Sequence, residues 1–504
     1  MLTADVYRPA TGGPHPAVLL RSPYGRGAQY SWLQALPYAS RGYAVVLQSV
    51  RGTFGSGGVF SPVVHEEHDG QDTVAWLREQ PWFAGELATL GASYLGYAQW
   101  ALALDPPPEL RAMAVYVGPH DLAQAGMNDG AMELANLATW TELMAHQERL
   151  GATRSSLRLM TAERRLAPAL GRLPLTGIAE LLGGEPAPWF DEWIAHPDLD
   201  DPYWARYRSA PAVRASTIPT LLIGGWQDWF LEQTLFQYRT LRDRGVDVGL
   251  TVGPFAHLGL DSAVAVRESL AWLDAHLPAA HVAGPPRPDR VRVFVTGAEQ
   301  WRALPDWPPA TTDRTWFLAP GSLTDFPAAG GETVVRYDPA DPTPSVGGRT
   351  LGRLAGRRDN TALEARPDVR TFTTAPLPAP VELLGAARVR LEVASDNAYG
   401  DLFVRLTDVD RRGRSVNVTD RLVRLDPAVG EPAPEGPRTV EVTLPETAHR
   451  FAAGHRVRLQ LSGGAHPRFA RNLGAGEPLG EGTRGVPVTH RVRHTGSAVS
   501  LPLG

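Results

Sequence analysis

The chain has 504 residues, is 43% hydrophobic and 20% charged, and carries a formal net charge of -5. That length exceeds one ordinary core, so about two or three domains are expected. All 49 basic residues are arginine and cysteine is absent, which excludes disulfides, thiolate metal sites and cysteine nucleophiles, and the lack of positive excess argues against a nucleic-acid partner.

The opening MLTADVYRP lacks the basic-then-apolar layout of a secretion signal, and no run of about eighteen apolar residues follows anywhere. A cytoplasmic address with no membrane span is expected. Through the first 120 residues short apolar runs alternate with helix-patterned segments, the pattern of a parallel sheet with helical crossovers. Strands are predicted at 17–20, 43–48, 88–90 and 112–117, and helices at 69–80, where Asp69 would favour the exposed amides of a first turn, and at 95–104. Residues 121–215 change to Ala-, Leu- and Arg-rich stretches with helical spacing, which read as an inserted helical cap. The α/β pattern resumes with a strand at 219–225, a helix at 231–244, a strand at 248–252 and a helix at 262–276.

A Pro-rich stretch at 283–290 reads as a linker, and beyond it the spacing switches to period two. Residues 291–295, 388–393, 439–444 and 456–461 alternate polar and apolar side chains, as strands of an antiparallel sandwich do, and the Pro-rich 426–437 reads as a loop. The expected division is an α/β core from 1–120 and 216–285, a helical cap from 121–215, and an all-β sandwich from 286–504.

The sharpest local signal is LGASYLG at 90–96, which sets Ser93 among small residues at a strand-to-helix junction. A nucleophile on such a tight turn needs small neighbours, and the helix that follows supplies unpaired amides, so the Tyr94 N–H could bind an oxyanion. Leu95 stands where the last glycine of G-x-S-x-G belongs, with Gly96 one position later, and an ordinary helix-start serine is the plain alternative. Asp228 follows one predicted strand and His257 another, giving the chain order Ser, Asp, His on strand ends where catalytic groups gather. Taken singly, Asp228 could be a helix N-cap and His257 a loop histidine. The pair His65 and His68 in HEEHD lacks the spacing of a zinc motif and reads as a solvated loop, and GTFGSGG at 52–58 fits neither phosphate-loop pattern and reads as a turn.

Together these segments resemble the CocE/NonD hydrolases, the cocaine-esterase family, which also includes X-Pro dipeptidyl-peptidases and α-amino acid ester hydrolases. The matching motifs are RSPYG at 21–25, G-x-S-Y-x-G at 91–96, GWQD at 225–228, GPFAH at 253–257, and VFVTG at 293–297 with Trp301-Arg302 and Trp307-Pro308 at the start of the C-terminal domain. The resemblance implies an α/β-hydrolase core with a helical cap and a jelly-roll sandwich, and a triad of Ser93, Asp228 and His257. It explains the shifted Gly96 and gives the Tyr24 hydroxyl a place beside the Tyr94 amide in the oxyanion hole. It also implies that Phe230 and Trp140 line the acyl pocket, although either could be an ordinary core aromatic. Phe255 stands in place of the family's usual tryptophan, and Ser49-Val50-Arg51 lacks the aspartate common before Arg-Gly. The family ordinarily has a segment upstream of Leu2, so the absence of one edge strand is expected.

The reading expected is therefore an enzyme that cleaves a small-molecule ester or amide through an acyl-enzyme, with no cofactor or metal and an oligomeric state that the sequence leaves open. Two rivals differ in kind. An aminopeptidase or α-amino acid ester hydrolase must hold a protonated amine, yet no acid follows Asp228 until Glu232. A silent binding module would leave the jelly roll to act alone, which an intact triad argues against.

Overall fold

The apolar runs of the first half carry no alternation because both of their faces are covered, the habit of strands inside an α/β sheet. In the computed structural model, which describes all residues except 29–30, 129, 184–186, 278–286, 288 and 426–435, these runs form one sheet. Its strands are β1 (Ala4–Tyr7), β2 (His15–Ser22), β3 (Ala44–Ser49), β4 (Phe83–Ala92) and β5 (Leu110–Tyr116). After the short ribbon β6 (Met127–Asn128) and β7 (Ala131–Met132), it continues with β8 (Thr220–Gln227), β9 (Val248–Ala256), β10 (Val291–Val295) and β11 (Gln300–Leu304). Among the described residues its order is β1-β3-β2-β4-β5-β8-β9-β10-β11, parallel from β3 to β10 and antiparallel at the two edges. Every residue of β2, β3 and β8 is buried, and each large aliphatic side chain so covered contributes about 1.5–3 kcal/mol.

Two expectations need correction. Val291–Val295, expected in the sandwich, pairs in parallel with β9, Val291 opposite Leu250. Its alternation is real, since Val291, Val293 and Val295 are buried and the residues between are not, but the last parallel strand of a sheet is wetted on one face just as a sandwich strand is. The segment HEEHD, expected to be a solvated loop, opens the helix Glu66–Arg78, with Glu66 and Asp69 buried because each carboxylate pairs with an arginine, Arg21 and Arg51. The linker expected at 283–290 and the loop expected at 426–437 lie largely outside the described residues.

Between β5 and β8 the chain is mainly helical, led by Leu134–Met160, which is broken at Gly151. From Thr312 onward the strands form a second sheet in which the long strand Val488–Leu503 pairs with four others, and their inward residues, among them Phe372, Leu406 and Leu459, meet in one apolar core. A buried ion network ties this domain to the rest. Arg468 pairs with Asp420 at 2.7 Å and with Glu133, the residue that starts the helix Leu134–Met160, at 3.4 Å. Burial works against the Asp420 carboxylate, but Arg468, Arg405 and Arg349 hold it well below the usual range. Such pairs are costly to break from one side, so the start of that helix is fixed. Among the described residues no helix is long and apolar enough to cross a membrane.

Candidate active site

β4 ends at Ala92, and the helix Tyr94–Leu102 begins two residues later, so Ser93 alone makes the turn. Its backbone lies at φ 60, ψ -121, a left-handed conformation that costs a side-chain-bearing residue about 1–3 kcal/mol. Three backbone bonds hold it there: the Ser93 N–H donates to Tyr116 O at 2.9 Å, and its carbonyl accepts from Gly96 N at 2.8 Å and Tyr97 N at 3.2 Å. The glycines are steric requirements. A Cβ on Gly91 would lie 2.4 Å from the Leu95 Cβ, and one on Gly96 would lie 2.6 Å from the Gly118 Cα, where the helix crosses the end of β5. Leu95 is thus accommodated by Gly91, and the second glycine is needed one position later.

β8 and β9 end on the same side of the sheet. His257 directly follows β9, and its Nε2 lies 2.9 Å from Ser93 Oγ while its Nδ1 lies 2.6 Å from Asp228 Oδ1. Asp228 is fully buried, and its other oxygen accepts the Phe230 N–H at 3.0 Å. The Phe230 ring stands edge-on to His257 at 5.1 Å, which restricts the imidazole to the plane that both hydrogen bonds need.

The other predicted residues converge on the same point. The Tyr24 hydroxyl accepts the Trp140 Nε1–H at 3.1 Å, and Tyr24 lines the same two spaces as Ser93. Burial raises its pKa above that of an ordinary phenol, so it remains a proton donor at neutral pH. The N–H of Tyr94, first residue of its helix, has no intrahelical acceptor. The Tyr94 side chain points the other way, its hydroxyl donating to Glu66 Oε1 at 2.8 Å and accepting from Val63 N at 2.9 Å.

Two spaces meet at Ser93. A cavity of about 470 Å³ reaches from Ser93 and His257 past Tyr24, Trp140 and Leu143 to Arg26. A tighter space of about 30 Å³ on the other side is walled by Tyr97, Trp140, Trp193, Trp229 and Phe230. Among the described residues, neither is lined by an aspartate or glutamate. Glu232, the nearest acid in sequence after Asp228, is occupied by Arg349 at 2.9 Å and by Arg421. Burial works to raise its carboxyl, but the two guanidinium groups hold it below the usual range.

Sequence reasoning missed four contributors. Leu351, from the C-terminal all-β domain, borders both spaces, and nothing in the sequence announces a contact so distant along the chain. Trp193 and Trp229, which wall the tighter space, receive no role from the sequence. Glu66 did leave a trace, an acidic first helical turn, but acidity at a helix start gives no sign of burial.

Residues 1–259 match the family model described as X-Pro dipeptidyl-peptidase (S15 family), and residues 284–499 match that of the X-Pro dipeptidyl-peptidase C-terminal non-catalytic domain. The chain is 32% identical to the cocaine esterase of Rhodococcus sp. (strain MB1 Bresler), over 100% of this chain and 96% of the esterase. Among solved structures it resembles an aminopeptidase from a marine sediment Thaumarchaeota archaeon, with a TM-score of 0.85, 22% identity and coverage of 100% of this chain and 94% of the other. It also resembles an α-amino acid ester hydrolase, with a TM-score of 0.82, again at 22% identity and with coverage of 100% and 94%. At that identity the two structures speak for the fold alone: an α/β-hydrolase domain followed by an all-β domain.

Proposed function

Because the chain belongs to the S15 X-Pro dipeptidyl-peptidase family, and is a serine hydrolase by that membership, we propose that it cleaves small neutral carboxylic esters through an acyl-enzyme on Ser93. The observation that carries this reading is the unbroken chain Asp228–His257–Ser93, with hydrogen bonds of 2.6 and 2.9 Å, opening onto a cavity that no aspartate or glutamate among the described residues lines. Ser93 Oγ attacks the ester carbonyl while His257 Nε2 takes its proton. Asp228 stabilises the imidazolium. The carbonyl oxygen, now negative, is held by the Tyr24 hydroxyl and the Tyr94 N–H. As the tetrahedral intermediate collapses, its bond to the leaving oxygen breaks and His257 returns the proton to that oxygen, releasing the alcohol. A water molecule then repeats the sequence on the acyl-enzyme, and the acid departs.

The lining supports an uncharged acyl group over the family's other substrates. A protonated α-amine buried against Trp140, Trp193 and Phe230 would lose its hydration with no carboxylate in return. The expected result is that benzoyl or butyryl esters exceed an unprotected phenylglycine methyl ester and an Ala-Pro nitroanilide by about 10- to 100-fold in kcat/KM, the cost of one unpaired buried charge. Comparison of the specificity constants checks this. Preference for either amine-bearing substrate would replace the esterase reading with a peptidase or amino-ester hydrolase.

A further inference from the structure

Trp140 does more than wall the pocket. An indole N–H can only donate, so in its 3.1 Å bond with Tyr24 the phenol oxygen is necessarily the acceptor. The Tyr24 proton is thereby turned away from Trp140. Its other polar neighbour is the Ser93 hydroxyl, whose own proton is directed to His257 Nε2. Two directed bonds result, from indole N–H to phenol oxygen and from serine proton to imidazole, and the phenol proton is left on the side away from the indole. When Ser93 bonds to a carbonyl carbon, the phenol proton is therefore available to the oxyanion rather than taken up by Trp140.

The indole cannot easily swing away. Its ring stacks on Tyr94 at 6.4 Å and 15° and on Trp193 at 6.2 Å and 29°, with Phe60 at 6.4 Å. Tyr94 is fixed in turn, because the buried carboxylate of Glu66 accepts its hydroxyl and is itself paired with Arg21 at 3.0 Å. The residue whose backbone N–H would be one oxyanion donor therefore also holds, through its ring, the indole that orients the other.

We propose that Trp140 is a positioning residue of the oxyanion hole, whose donor-only N–H fixes the direction of the Tyr24 hydroxyl proton. The proposal rests on the acyl-transfer reading above. It differs from pocket lining in what it predicts. Lining acts on substrate binding and is indifferent to Tyr24, whereas orienting acts on the transition state and has no object once the hydroxyl is gone.

The test is a double-mutant cycle on the full chain with p-nitrophenyl butyrate. Tyr24→Phe should lower kcat by about 10²- to 10³-fold, the usual loss for one oxyanion donor. Trp140→Phe should lower kcat by about 3- to 10-fold with KM within about twofold, the worth of one neutral hydrogen bond, and should cost nothing further in the Tyr24→Phe background. Inhibition by butylboronic acid, which adds to a serine as a tetrahedral anion, should weaken in Trp140→Phe by the same factor as kcat. If Trp140→Phe folds poorly, 3-benzothienylalanine at position 140 keeps the bicyclic ring and removes only the N–H, and the same losses are expected. Equal losses in both backgrounds, or a change confined to KM, would overturn the proposal while leaving the esterase reading intact. A folded wild-type chain with no activity on the nitrophenyl ester would instead overturn the reading on which the proposal rests.

Discussion

Ser93→Ala is expected to lower ester turnover by about 10⁴- to 10⁶-fold and to leave the fold unchanged. The substitution removes only the oxygen that would bond to the acyl carbon. The strained turn survives, because alanine carries the same Cβ as serine and all three bonds that hold φ at 60 come from backbone atoms. Binding energy and the oxyanion donors remain, so the residual rate stays above that of water. Steady-state kinetics beside a thermal melt checks both halves. A variant that melts with the wild type and retains most of its turnover would remove Ser93 from the chemistry.

Asp228→Asn should cost about 10⁴ in kcat with little change in KM. The reason lies in the second hydrogen bond of the carboxylate. Asp228 Oδ2 accepts the Phe230 N–H at 3.0 Å, and only the carbonyl oxygen of an asparagine can keep that bond. The amide nitrogen is then left facing His257 Nδ1, to which it donates a hydrogen bond, and the neutral imidazole must carry its own proton on Nε2. That nitrogen can no longer accept from Ser93. The loss therefore comes from the wrong tautomer rather than from a displaced ring, and it should appear in kcat for every ester tried. A loss confined to KM, or one below about tenfold, would mean that Asp228 serves only to hold the loop.

The parts of the molecule that could be read from the sequence are those in which local chemistry leaves a local pattern. The buried strands announced themselves as unbroken apolar runs, and Ser93, Asp228 and His257 could be singled out as candidates because each follows such a run by a short turn. The family resemblance already accounted for the position of Gly96, and the helix crossing Gly118 at a distance no Cβ would allow supplies the steric reason. What stayed hidden depends on partners far along the chain. The alternation of Val291–Val295 reports one wet face and cannot say which sheet supplies the dry one. Glu66 lies in an acidic segment that reads as a solvated loop until Arg21 and the Tyr94 hydroxyl are placed against it. Leu351 reaches the pocket from another domain. Trp140 was legible as an aromatic near the site, but its hydrogen bond to Tyr24, which gives it a directional role, exists only in three dimensions.

The central claim is that one serine, activated by one histidine, forms the covalent intermediate. Its most direct test is reaction of the chain with a fluorophosphonate, followed by intact mass and peptide mapping. The account predicts a single adduct on Ser93, loss of esterase activity in proportion to labelling, and no adduct in Ser93→Ala. Labelling at another residue, or hydrolysis that survives complete modification of Ser93, would contradict it.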